Sequence, residues 1–266
     1  MPTIRNIFIV HQEGMEALVP YVKSALNDVM NCFPQYKEYF PIINLGNWKS
    51  DHAYVQRNGE LLLKPYESME WYLSRAKRKA IEEGRWQRTR QINVQRMLDD
   101  MANDPYRSQI PQWSINLTMH DLYGGEAQGF CLGVTCPDAY SIISTSCFAI
   151  NNRSQMGLEN FLTTVQHEFG HILGVTERER PNVYDSLGRH CSTPGCIMQQ
   201  RLDGNVTDLT KARLERKTRG EAPICSCCIT QGRKNLFRLY AQNERRNNPS
   251  CPFGPYGPNG GNGERD

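Results

Sequence analysis

Two histidines four residues apart, His167 and His171, bracket Glu168 in the run Gln166-His167-Glu168-Phe169-Gly170-His171-Ile172-Leu173-Gly174. On an α-helix this spacing stacks both imidazoles on one face, where they can share one Zn²⁺. Glu168 then sits beside the metal without having to bind it. Zinc draws the pKa of a bound water towards neutrality, and a neighbouring carboxylate can take that proton and hand it to a leaving amine. This is the chemistry of an H-E-x-x-H helix, and it makes Glu168 the candidate catalytic group.

The residues around the motif have to hold it. Leu162, Val165, Phe169, Ile172 and Leu173 recur at helical spacing, which predicts a helix pinned to a core with its polar face in a cleft. Gly174 follows the last apolar residues, where a left-handed residue stops a helix. Upstream, the chain opens with an apolar, β-branched run from Ile4 to Val10, then a helical pattern through Leu18, Val22, Leu26 and Val29, which Phe33-Pro34 ends. Tyr39 to Leu45 reads as the next strand. A βαβ opening predicts a mixed α/β sheet. The segment from Ser68 to Asp104 is rich in helix formers and carries a basic face of Arg75, Lys77, Arg78, Lys79, Arg85, Arg88 and Arg90. Within it, Val94, Met97, Leu98 and Met101 repeat at helical spacing. Trp113 to Thr118 alternates as a half-buried strand, Asp121 to Gly125 reads as a turn, and Phe130 to Val134 and Tyr140 to Ile150 are β-rich. His120 ends one of these runs.

The 266 residues, 39% of them hydrophobic, suit a globular protein, and no stretch has the apolar length of a membrane span. No basic and then apolar leader opens the chain, so a cytoplasmic location is expected. In that compartment the 10 cysteines point to metal or buried thiols in preference to disulfides. Five of them, Cys191, Cys196, Cys225, Cys227 and Cys228, cluster behind the histidine motif. The net charge of +3 is too small to imply nucleic acid, but it is uneven: residues 201–246 hold 11 Lys/Arg against 5 Asp/Glu.

A catalytic zinc usually keeps three protein ligands and a water. Three residues beyond Gly174 stands Glu177, a carboxylate able to be the third, and further on His190 directly precedes Cys191. The run His190-Cys191-Ser192-Thr193-Pro194-Gly195-Cys196-Ile197-Met198, with Cys225-Ser226-Cys227-Cys228 later, resembles the archaemetzincins. Their pattern is H-E-x-x-H-x-x-G-x-x-H-C-x4-C-x-M followed by C-x-x-C. The resemblance covers roughly residues 91–228 and is strongest from 166 to 198. It implies a metzincin-like zinc peptidase fold with a twisted mixed sheet, an active-site helix and a zinc-stapled C-terminal part. It also implies two Zn²⁺ per chain. His167, His171 and His190 would hold the catalytic ion, Cys191, Cys196, Cys225 and Cys228 a structural one, and Met198 would form the turn beneath the site. The edge strand near Phe130 to Thr135 would pair with substrate backbone by analogy with the metzincins. The chain departs from the pattern in having 13 residues, Glu177 to Arg189, where the family has none; Pro181, Asn182, Asp185 and Gly188 predict a surface loop there. Glu177 stays open as third ligand, and Cys227 as a replacement for Cys228.

These readings give one peptidase domain over residues 1–246, with sheet and active-site helix in 1–174 and the Met-turn and cysteine region in 175–246. The Pro/Gly/Asn-rich residues 247–266 are expected to be a disordered tail. The expected partner is a peptide or protein substrate, with neither nucleic acid nor membrane. The rival is a zinc-ribbon-like module holding nucleic acid through Lys211 to Arg219 and Arg233 to Arg246, which leaves Glu168 without a use.

Overall fold

The computed structural model describes residues 4–47, 53–55, 61–63, 68–103, 112–124, 129–148, 150, 154–177, 182–185, 189–200 and 206–247. The expected tail beyond Asn247 lies outside them, as do Pro181 and Gly188 of the expected loop. Strand β1 (Asn6–His11) runs parallel to β2 (Ile42–Gly46) on one side and to β6 (Gln112–Thr118) on the other. β9 (Tyr140–Ser144) lies parallel to β6, and β8 (Gly133–Cys136) ends the order β2-β1-β6-β9-β8 antiparallel to β9. The sheet is thus mixed, and β8 is an edge.

Because successive strand residues point to opposite faces, β1 serves two cores. Ile7 and Ile9 join Trp113, Ile115 and Leu117 against Val22, Leu26 and Val29 of α1 (Val19–Met30). Phe8 and Val10 join Tyr140 and Ile142 against α2 (Met69–Glu82) and α4 (Val94–Ala102). Helices on both faces explain why β6 departs from the half-buried expectation: all seven of its residues are buried. Its polar members find partners inside, with Asn116 Nδ2 donating to Ser114 Oγ at 3.0 Å and to the Ser141 carbonyl at 2.9 Å.

The helix-rich segment 68–104 is broken by two left-handed residues, Gly84 at φ 66° and Arg90 at φ 59°, which a right-handed helix cannot carry. Between α2 and α4 this leaves α3 (Arg85–Thr89) and the short strand β5 (Ile92–Asn93). β5 pairs with β7 (Leu122–Tyr123), so the expected turn at Leu122 and Tyr123 is a strand. The run from Tyr140 leaves the sheet after Ser144, whose Oγ accepts the Ser146 N–H at 3.1 Å and folds the chain into a 3-10 turn. That turn puts Phe148 against Phe161. A separate hairpin pairs β3 (Ala53–Val55) with β4 (Leu61–Leu63).

Among the described residues no helix is long and apolar enough to cross a membrane.

Candidate metal centre

The motif helix is α5 (Gln155–Ile172). Ser154 caps it, its Oγ accepting the Gly157 N–H at 3.1 Å. Leu162, Val165, Phe169, Ile172 and Leu173 are all buried in the core they share with α1. Gln166 adds a hydrogen bond from Nε2 to the Ala25 carbonyl at 3.1 Å. At the far end Gly174 takes φ 64°, and Asn235 Nδ2 donates to the carbonyls of Leu173 at 3.1 Å and Gly174 at 2.8 Å. Asn235 lies on α7 (Ser226–Asn247), so the last helix satisfies carbonyls that the motif helix leaves over.

His190 is placed by strand pairing among the described residues of the inserted segment. β10 (Val183–Asp185) pairs antiparallel with β11 (Arg189–Cys191), with Tyr184 opposite His190. The hairpin brings His190 to the other two imidazoles, and one ring nitrogen from each lies within 4.8 Å of the others. His167 Nε2 and His171 Nε2 are 3.1 Å apart. Two nitrogens sharing one tetrahedral Zn²⁺ at ~2.0–2.1 Å stand about 3.3 Å from each other, so this spacing fits. His167 Nδ1 lies 2.6 Å from the Ile197 carbonyl; the proton on Nδ1 leaves the Nε2 lone pair for a metal. Burial holds His167 below the usual histidine pKa, and burial with the neighbouring imidazoles holds His171 well below it. Neutral rings are the form a cation needs. Glu177 is elsewhere: its Oε2 takes a hydrogen bond from Asn235 Nδ2 at 3.4 Å.

Glu168 is 7% exposed and lies beside the trio, between α5 and the edge strand. Burial pushes its carboxyl up to about 7, against the pull of the Thr135 hydrogen bond and the His190 charge. Thr135 of β8 donates through Oγ1 to Glu168 Oε2 at 2.5 Å. Gly133, one pleat away, makes the room: a Cβ there would stand 2.9 Å from both Cγ and Oε1 of Glu168. Neither Thr135 nor Gly133 is apparent from the motif, although a glycine inside a strand signals a close approach.

Met198 is fully buried against the motif helix, with its carbonyl accepting the Cys191 N–H at 2.8 Å. Its Sδ is so near α5 that a Cβ on Gly170 would stand 2.2 Å from it. Gly170→Ala tests that contact. Alanine improves helix propensity by about 1 kcal/mol, whereas overpacking costs roughly 1–3 kcal/mol or more. The clash should at least cancel that gain, and urea denaturation should read a net destabilisation of roughly 0–2 kcal/mol.

Cys191, Cys196, Cys225 and Cys228 form a second group, all buried, with one sulfur from each within 4.8 Å of the others. The Cys191–Cys225 sulfurs are 3.7 Å apart and the Cys196–Cys228 sulfurs 3.8 Å. Edges of about 3.8 Å are what a tetrahedral Zn²⁺ with ~2.3 Å bonds requires. Hydrogen bonding among the sulfurs holds Cys191 below the usual thiol range, the Cys196 thiol being the largest contributor, and lowers Cys225 too. The same crowding raises Cys196 and Cys228. Four sulfurs so close cannot all ionise without a cation, and one would remove the conflict. Cys227 is exposed and outside the group.

His120 stands apart from both groups, against Trp86 with ring centroids 6.0 Å apart. The basic stretch before the second cysteine pair is largely neutralised. On α6 (Val206–Thr218) Leu214 is only half-buried while Arg213 is buried, paired with Glu159 and donating to Gln166 Oε1 at 3.3 Å. Arg216 and Arg219 meet Glu221, and Lys217 meets Asp28.

No family model matches the chain, and no curated protein matches it significantly. Among solved structures, the crystal structure of archaemetzincin from Methanopyrus kandleri is similar, at 17% identity and a TM-score of 0.48. The match covers 88% of this chain and 96% of that one.

Proposed function

We propose that the chain is a zinc-dependent peptidase acting as one unit over residues 1–246. The observation that carries this reading is the convergence of His167, His171 and His190 with Glu168 alongside, next to the open edge of β8. The three imidazoles would hold the catalytic zinc, and Cys191, Cys196, Cys225 and Cys228 a structural one. A zinc ion at the histidines supplies Lewis acidity for a scissile carbonyl and for a water. Glu168 would take the water's proton and return it to the departing amine. Thr135 fixes the carboxylate's orientation from the edge strand. Among the described residues no strand pairs with the outer edge of β8, which would offer main-chain hydrogen bonds to an extended peptide.

Metal analysis on purified protein tests the ligand set. Wild type should carry close to two zincs per chain, His190→Ala about one, and Glu177→Ala two. If Glu177→Ala alone loses zinc, the histidine assignment is wrong. Gly133→Ala should keep both ions yet displace Glu168, lowering kcat/KM for a peptide roughly 10- to 100-fold, the scale of a catalytic group misplaced by about 1 Å.

A further inference from the structure

The basic face of α2 and α3 is not used by either metal group. Arg75 pairs with Asp100 at 2.8 Å and Lys79 with Glu83 at 3.4 Å, but among the described residues Lys77, Arg78, Arg85, Arg88 and Arg90 have no carboxylate within ion-pair reach. Several of these cations are gathered on aromatic rings: Lys77 Nζ is 4.3 Å and Arg90 Cζ 5.6 Å from the Trp86 centroid, and Arg85 Cζ is 5.1 Å from that of Tyr123. A basic helix face is usually just solvated surface. Here its position argues for more. Gln91, next to Arg90, donates through Nε2 to the Gly129 carbonyl at 3.0 Å and to Asp121 Oδ2 at 3.1 Å. The cluster is therefore fastened to the segment that leads into β8. Gly129 stands four residues before Gly133, and Gly133 borders Glu168.

We propose that this cluster selects acidic peptides, gripping Asp or Glu side chains that stand about three to five residues from the scissile bond of a chain laid along β8. The inference rests on the peptidase reading. Among the described residues these cations gather around Trp86 and Tyr123, on the side of the segment that leads into Gly133, so acidic residues act on one side of the cleaved bond and not on the other. Cations over aromatic rings would also suit single-stranded nucleic acid. The adjoining open strand edge favours a peptide, whose backbone can complete it.

The test uses the zinc-loaded full chain and fluorogenic peptides sharing one central sequence, with an Asp/Glu pair or an Asn/Gln pair three to five residues before or after the cleaved bond. The acidic pair should raise kcat/KM about tenfold on one side only at low salt, and added NaCl should shrink the gain. The triple variant Lys77→Gln, Arg88→Gln, Arg90→Gln should lose the gain while keeping its zinc and its rate on the Asn/Gln peptides. An equal gain on both sides, or one that survives the triple variant, overturns the proposal. If no form cuts any peptide, the peptidase reading has failed. Charge selection is then read by anisotropy of a labelled acidic peptide: binding that the three substitutions abolish supports the cluster's role, and binding that ignores them overturns it. A labelled single-stranded RNA that binds more tightly than the acidic peptide, through the same residues, also overturns it.

Discussion

Glu168→Gln is expected to lower kcat for peptide hydrolysis by about 10²- to 10⁴-fold, the range a positioned acid/base group contributes, with zinc content unchanged. The amide fills the same buried space, and Thr135 Oγ1 can still donate to its oxygen as it does to the carboxylate at 2.5 Å. What is lost is the ability to take and return a proton. Thr135→Val should cost less, because it releases the carboxylate without removing it. Wild-type kcat in Glu168→Gln would rule Glu168 out as the base, and loss of zinc would show it to be a ligand.

The part of the site legible in the sequence is the part set by helical geometry and by adjacency. His167 and His171 meet because four residues is about one turn, and the apolar stripe from Leu162 to Leu173 is buried as its period requires. The placing of His190 was readable because Cys191, next to it, belongs to the sulfur group. Other features depend on partners far away in sequence. Arg213 is buried despite its charge, since Glu159 and Gln166 on another helix meet it there. The seven buried residues of β6 read as half-buried because Ser114 and Asn116 are polar, yet Asn116 donates to Ser114 on its own strand and to the Ser141 carbonyl across the sheet. The inserted segment reads as a loop from its composition, yet Val183 to Asp185 pair with β11. Such pairing is a property of two segments together, and neither carries it alone.

Cys228→Ser should have a wider effect than any single histidine change. Serine is too hard and too weak a donor to replace a thiolate, so the sulfur group drops to three ligands and its zinc is lost. The consequence spreads because this group anchors other parts of the centre. Cys191 is the neighbour of His190 on β11, its N–H is bonded to the Met198 carbonyl, and Cys225 N–H reaches Cys196 Sγ at 3.4 Å. Ile197, one residue after Cys196, holds His167 through its carbonyl. Loss of the structural ion should therefore release His190 and the support of His167 together. Metal analysis should find fewer than one zinc per chain in Cys228→Ser, against about one in His190→Ala, with peptide hydrolysis gone in both. Structural zinc contributes on the order of 10–16 kcal/mol in small zinc-folded peptides. Even a fraction of that is large beside a domain's roughly 5–15 kcal/mol of stability, so the melting temperature should fall far more than in His190→Ala. Cys227→Ser, at an exposed cysteine outside the group, should match wild type in both readouts. If instead Cys228→Ser keeps the histidine zinc and Cys227→Ser loses an ion, the coupling between the two centres and the choice of sulfur are both wrong.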